Sequence, residues 1–212
     1  MDPLLDHPTA ASPWFDNPIL GQRTRLITLP SETGGRFAVI DYEFAPWRGK
    51  FAVPEHFHPS AEEQFEVLGG TAEYAIGGTL GRAEAGETIV MPAGVPHLHP
   101  YSASHEPLLL RQTIRPLTPD ERGLTASIQG AITILGLARD GKVDASGRPA
   151  ILQLAVILRA SMPTTYMAGL PIVVQRLVLT ALGVLASATG YQLAYPRYGV
   201  VSPSGFIMPE PG

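Results

Sequence analysis

Cysteine is absent from the 212 residues of this chain. Disulfides, thiolate nucleophiles and cysteine-type zinc sites are thereby excluded together, so any bound metal must be held by nitrogen and oxygen. The absence also agrees with a cytoplasmic location. Charge is scarce as well: Asp, Glu, Lys and Arg make up 16% of the residues, the net charge is −4, and no block rich in Lys and Arg occurs. Nothing here would neutralise a phosphate backbone, which argues against nucleic acid as a partner. Long apolar runs are missing too. The most apolar late stretch, residues 171–190, is interrupted by Gln175 and Arg176, and the uncharged remainder from Leu177 is too short for a membrane span. Residues 1–17 carry Asp2, Asp6 and Asp16 without a basic n-region or an apolar h-region. Residues 1–22 are therefore expected to be a flexible arm rather than a signal peptide.

What is abundant is apolar residues, at 45%, together with 22 Gly and 21 Pro, a mix that suits short strands joined by sharp turns. Between residues 23 and 116, runs of five to eight residues are separated by Gly34-Gly35, Gly77-Gly78 and Ala93-Gly94. Ala38, Ile40, Tyr42 and Phe44 alternate with polar Asp41 and Glu43, and Ala72, Tyr74 and Ile76 alternate with Thr71 and Glu73. That period of two predicts strands with one buried face, and many such strands predict a β-sandwich or barrel. After Pro116 the pattern changes. Thr118-Pro119-Asp120-Glu121 predicts a capping box, with Pro at the first helical position, opening a helix to about Arg139, although Gly123, Gly130 and Gly136 weigh against one straight helix. Further helices are expected from Pro149 to about Ser161 and from Pro171 to about Thr189, the last apolar enough to be buried against the barrel or a second subunit. The predicted organisation is an arm (1–22), a barrel (23–116) and a helical extension (117–212).

His56 and His58 lie two apart and so share one face of a strand, as two ligands of one ion must. Glu63 follows a turn, and its alternation with Phe65 and Val67 directs the carboxylate inward; Glu62 is the rival carboxylate, expected toward solvent. Pro92 and Gly94 set a tight turn just before His97. The two stretches read H-x-H-x4-E-x6-G from His56 to Gly70 and G-x5-P-x-G-x2-H from Gly86 to His97. In this the chain resembles the cupin superfamily, and the helical tail around 152–156 and 190–198 resembles a group of bacterial cupin-domain proteins. The resemblance implies a mainly β fold, a jelly-roll β-barrel with a C-terminal helical extension. It also implies one divalent metal held by His56, His58, Glu63 and His97, with Fe(II) first and Mn, Ni, Co, Cu or Zn as alternatives. Two departures touch no ligand: the glycine expected before the HxH pair is displaced to Gly49, and Tyr101 stands where an Asn is usual.

His99 would point the same way as His97 if the strand stays regular past Pro100, as a base near the metal or another ligand, whereas His7 and His105 are expected to be solvated. Tyr42, Phe44, Phe65, Tyr74 and Met91 are candidates for a substrate pocket or plain barrel core. Gln112 shares parity with Leu108, Leu110 and Ile114 and is predicted to face inward, where a structural hydrogen bond or a bound substrate would satisfy it. The expected activity is a metal-dependent enzyme on a small organic molecule, an O2-dependent dioxygenase of the quercetinase-like kind, with Glu63 and His99 as its catalytic groups. The alternatives are a redox-neutral isomerase, cyclase or decarboxylase, and a non-catalytic small-molecule-binding module. The apolar last helix predicts a homodimer.

Overall fold

The computed structural model describes residues 11–46, 54–102, 104–162, 164–202 and 204–209; Gly49 and His7 lie outside them. Eight strands build the barrel: β3 (Ala38–Phe44), β4 (His56–Phe57), β5 (Ala61–Gly69), β6 (Thr71–Ile76), β7 (Thr79–Glu84), β8 (Thr88–Met91), β9 (His97–Ser102) and β10 (Leu108–Pro116). They pair as a nested hairpin, β3 with β10, β4 with β9, β5 with β8 and β6 with β7, all antiparallel. Rolled up, such a hairpin gives two facing sheets, β3-β10-β5-β8 and β4-β9-β6-β7, which is the jelly roll. Among the described residues the two sheets do not pair with one another. Extra strands lengthen each at one edge: β1 (Phe15–Asn17) and β2 (Gln22–Thr28) beside β3, and β11 (Tyr166–Met167) beside β4; a single helical turn, α1 (Pro30–Thr33), joins β2 to β3.

Turn chemistry holds this register. Gly70, between β5 and β6, has φ 78°, and a Cβ there would collide with the Pro107 carbonyl, so both its conformation and its surroundings require glycine. In β6 the expected face is kept, with Ala72 buried and Tyr74 and Ile76 packed against the same core, the Tyr74 ring over Gly81; the irregularity lies on β9, where His99 and Pro100 together stand opposite Tyr74, and Ala75 is buried as well. On β3, Asp41 was expected to face solvent with Glu43. It is instead fully buried, between Arg25 at 3.2 Å and Arg111 at 2.8 Å. The cause lies outside the strand: Trp14 lies over the Arg25 guanidinium, 4.7 Å from its ring centre, and Phe15–Asn17 pairs with β2, so part of the segment expected to be an arm covers this face.

The extension begins with α2 (Glu121–Arg139), a single helix in spite of its glycines. Its cap is Asp120, whose carboxylate accepts from the Gly123 N–H at 2.8 Å, so the helix opens after Pro119 rather than on it. Gly136 lies beneath the Tyr198 ring and Gly130 beneath Ile157, where side chains would hold the partners off. The apolar face of α2, including Leu124, Ile128 and Ile132, packs with Leu26 and Ile40 in one core; a second core of Phe65, Val67, Met91, Leu108 and Leu110 fills the barrel. Helix α3 (Ile151–Ser161) packs on α2, and α4 (Ile172–Ala188) packs on α3. Helix α4 is thus not buried against the barrel: only Gln175, Gly183 and Ala186 are buried, and Val173, Leu177 and Val184 face outward.

Candidate metal centre

Strand pairing brings the four sequence-separated residues together. His56 sits directly opposite His97 in the β4–β9 pair, and Glu63 on β5 sits between Met91 of β8 and Ile114 of β10. His58 follows β4 by one residue, and its carbonyl accepts from the Gly94 N–H at 2.8 Å, which ties the first motif to the turn of the second. Glu63 faces inward and is buried, while Glu62 is partly exposed.

Each of the three histidines is held through Nδ1 by a backbone carbonyl: His56 on Pro54 at 2.9 Å, His58 on Thr164 at 2.8 Å, and His97 on Val95 at 3.0 Å. A carbonyl only accepts, so each Nδ1 carries the proton and each Nε2 is left with a lone pair, the tautomer a metal ligand needs. The Nε2 atoms of His58 and His97 are buried without a hydrogen-bond partner among the described residues. Both approach the Glu63 carboxylate, His58 Nε2 at 3.3 Å from Oε1 and His97 Nε2 at 3.2 Å from Oε2, off the hydrogen-bond line. Donors bound to one ion at about 2.1 Å stand about 3 Å apart when adjacent. The donor set could therefore hold one divalent ion, with the unpaired Nε2 atoms of His58 and His97 free to serve as ligand atoms.

His99 joins them. In spite of Pro100, its Nε2 lies 2.9 Å from Glu63 Oε2, and its ring stacks on that of His97 at 5.8 Å. One atom each from His56, His58, Glu63, His97 and His99 falls within 4.8 Å of all the others. His99 is a quarter exposed, whereas the side chains of Glu63 and His97 are sealed. His105 is exposed, away from this cluster.

Around the carboxylate, Gln112 donates its amide N–H to Glu63 Oε1 at 2.7 Å and accepts the Tyr42 hydroxyl at 2.7 Å, so the inward Gln is satisfied by protein. Burial would raise the Glu63 pKa, but the charges of His58 and His99 outweigh it and hold the carboxyl well below its usual range. Burial would lower His58, and the Glu63 charge reverses this and raises it; His56, with burial dominant and His99 nearby, is held well below its ordinary value. Burial, then the Glu63 charge, raises Tyr42.

Sequence reasoning missed the part played by the extension. Thr164 supplies the carbonyl that holds His58, the Thr165 hydroxyl lies 3.1 Å from the same Nδ1, and β11 pairs with β4 through Met167 opposite His56. No local signal marks these residues, because the contact spans more than a hundred positions. A cavity of about 320 Å³ opens beside the cluster, reaching His58 and Glu63 on one side and α2 on the other. None of Tyr42, Phe44, Phe65, Tyr74, Met91 or Gln112 lines it; Phe65, Met91 and Gln112 are buried within the barrel, Tyr42 stacks on Phe44, and Tyr74 packs on Gly81.

A family model described as "Cupin domain" matches residues 44–111. No curated protein matches the chain. Among solved structures, KdgF from Halomonas sp. is 18% identical, with 49% of this chain and 86% of that one covered and a TM-score of 0.40. The polyketide cyclase RemF from Streptomyces resistomycificus is 23% identical, covering 46% and 66%, with a TM-score of 0.38. A protein of unknown function from Streptococcus pyogenes, SPY1581, is 22% identical, covering 45% and 74%, with a TM-score of 0.36.

Proposed function

With a cupin domain as the premise, we propose that this chain is a metal-dependent enzyme acting on a small organic molecule, with one divalent ion held by His56, His58, Glu63 and His97. The observation that carries this reading is the pair of buried Nε2 atoms on His58 and His97, oriented by backbone carbonyls and aimed at one carboxylate without hydrogen-bond partners. Such an ion would supply Lewis acidity and, as Fe(II) or another redox-active metal, electrons for O2 chemistry. The chain's own part is to orient and to move protons. Gln112 holds Glu63 Oε1, leaving Oε2 to take a proton from the substrate, and His99, in contact with Oε2 and partly exposed, passes it toward solvent. Buried His56, held neutral, serves as a ligand rather than a base.

A three-histidine, one-glutamate set leaves two positions on a six-coordinate ion, enough for substrate and O2, and on that count a dioxygenase is the leading reaction. A second reading, a redox-neutral isomerase, cyclase or decarboxylase, is favoured by the distance of 2.9 Å between His99 and Glu63, since a fifth protein donor would leave one open position. Oxygen-electrode assays of iron-, copper- and nickel-loaded protein separate the two. Oxygen consumption coupled to substrate loss supports the dioxygenase, and equal turnover under strict anaerobiosis or with zinc alone supports the redox-neutral class. A tightly retained, unchanged ligand with no turnover would contradict both and leave a binding module.

Helix α4 pairs, in this proposal, with its copy in a homodimer. Val174, Leu177, Ala181, Val184 and Ala188 follow the alternating three-and-four spacing of a helix–helix seam, all are exposed, and no charged residue interrupts them. Light scattering after size exclusion should give twice the chain mass, and Leu177→Glu the single mass. A monomeric wild type at micromolar concentration contradicts this.

A further inference from the structure

The cavity beside the metal centre has walls from both parts of the chain, and their chemistry is one-sided. From the barrel come His58, Ser60 and Glu63; from the extension come Thr118, Asp120 and Ser127, the last on α2. No Lys or Arg lines it among the described residues. The hydrogen-bond directions can be followed on the α2 side. Thr164 spends its hydroxyl hydrogen on the Ser161 carbonyl at 2.9 Å, so in the 3.1 Å contact between Ser127 and Thr164 the hydrogen comes from Ser127. Ser127 is left with lone pairs only. Asp120 is an acceptor as a carboxylate, so the α2 side of the wall offers acceptors at Ser127 and Asp120, while an anion could meet positive charge only at the opposite end, at the ion that the metal reading places on His58 and Glu63.

We infer that this cleft between barrel and helical extension is the substrate chamber of the metal centre, and that it takes a small molecule that reaches the ion at one end and presents hydroxyl or amino hydrogens to Ser127 and Asp120 at the other. The inference rests on the metal reading above and adds the substrate class. The size follows from the volume: 320 Å³ lies at the small end of the roughly 300–1,000 Å³ of small-molecule pockets. A carboxylate or phosphate at the α2 end would lose its water beside Asp120 with no positive side chain to replace it, so an acidic group would belong at the ion. Ile114 and Leu124 supply apolar surface for a carbon skeleton.

The test uses the full chain, cobalt-loaded and metal-free, with catechol and dihydroxyacetone as uncharged, hydroxyl-bearing probes and malonate as an anion without hydroxyl hydrogens. Calorimetry reads binding, and the cobalt absorption bands read contact with the ion. Two variants fill the chamber: Ser127→Phe from α2, and Thr118→Trp from an exposed loop position where a large side chain does not disturb the core. The expected result is binding of the uncharged probes with and without cobalt, binding of malonate only to the cobalt-loaded protein, and a loss of at least about tenfold for the uncharged probes in both variants at unchanged cobalt stoichiometry. Wild-type probe affinity in Thr118→Trp, or malonate bound to the metal-free protein as tightly as the uncharged probes and displaced by the fillings, would overturn the inference. If the wild type takes up no cobalt yet binds the uncharged probes, and the fillings abolish that binding, the metal reading fails while the chamber and its ligand class stand.

Discussion

Replacing Gln112 by Leu keeps the side-chain volume within the barrel and deletes both hydrogen bonds of the amide. Glu63 Oε1 loses its 2.7 Å donor, and the Tyr42 hydroxyl loses its 2.7 Å acceptor. A hydrogen bond to a charged group contributes about 1.5–3 kcal/mol, and an orphaned hydroxyl costs about 1–3 kcal/mol when sealed from water. Tyr42 is only partly buried and can recover some hydration, so the lower end applies to it. The variant should therefore be less stable by about 2–4 kcal/mol in the metal-free state. Loss of the group that orients a ligating carboxylate should also weaken metal binding by about 10–100-fold. Tyr42→Phe, which removes only the outer bond of the chain, should cost about 1 kcal/mol and change metal affinity little. Chemical denaturation gives the first quantity, and zinc titration against a competing chelator gives the second. A Gln112→Leu protein with wild-type zinc affinity and stability within about 0.5 kcal/mol would refute the claim that Gln112 orients Glu63.

Three further outcomes follow from the same contacts. Asp41→Asn should destabilise the protein by about 3–5 kcal/mol in denaturant titrations, because it removes the buried carboxylate charge that pairs with both Arg25 and Arg111; a loss under 1 kcal/mol would contradict this. Deleting the residues after Pro116 removes the Thr164 carbonyl from His58 and β11 from β4, so zinc affinity should fall by at least about tenfold in whatever fraction remains folded; calorimetry on the soluble protein checks it, and an unchanged affinity contradicts it. With pH, the raised His58 stabilises fully below about 6.5 and loses that contribution as pH rises through its folded value, while the lowered His56 withholds a proton that the unfolded chain binds below about 6.5. The lowered Glu63 contributes above about 4.3 and loses its contribution only as pH falls through its folded value. The metal-free protein should thus melt highest near pH 6.5 and lower on either side, and zinc, replacing the His58 proton, should remove the alkaline decline; a melting temperature that climbs steadily from pH 6 to 9 without metal would contradict it.

The part of the site that could be read in the sequence is the part set by local rules. Two histidines at a spacing of two, a glutamate in alternation with Phe65 and Val67, and a Pro-Gly turn before His97 all describe strand faces and turns, and strand geometry converts them directly into proximity. What could not be read depends on distant residues. Asp41 looks like a solvent-facing strand position until Arg25, Arg111 and Trp14 surround it. Gln112 and Tyr42 lie seventy positions apart and meet only because β10 pairs with β3. His99 reaches Glu63 although the β9 pairing is irregular at His99 and Pro100, a break that simple alternation does not follow. The glycines of α2 read as helix weakeners, yet two of them are where Ile157 and Tyr198 pack closest. Part of the cleft wall comes from α2 and the loop before it, which no pattern within the barrel marks.

The most direct test of the central claim is metal analysis by inductively coupled plasma mass spectrometry on protein purified without chelators, alongside His56→Ala. We predict one divalent ion per chain in the wild type and almost none in the variant, with both folded by circular dichroism. A folded wild type that holds no ion after incubation with iron, manganese, cobalt, nickel, copper or zinc, or a variant that holds as much as the wild type, would contradict it.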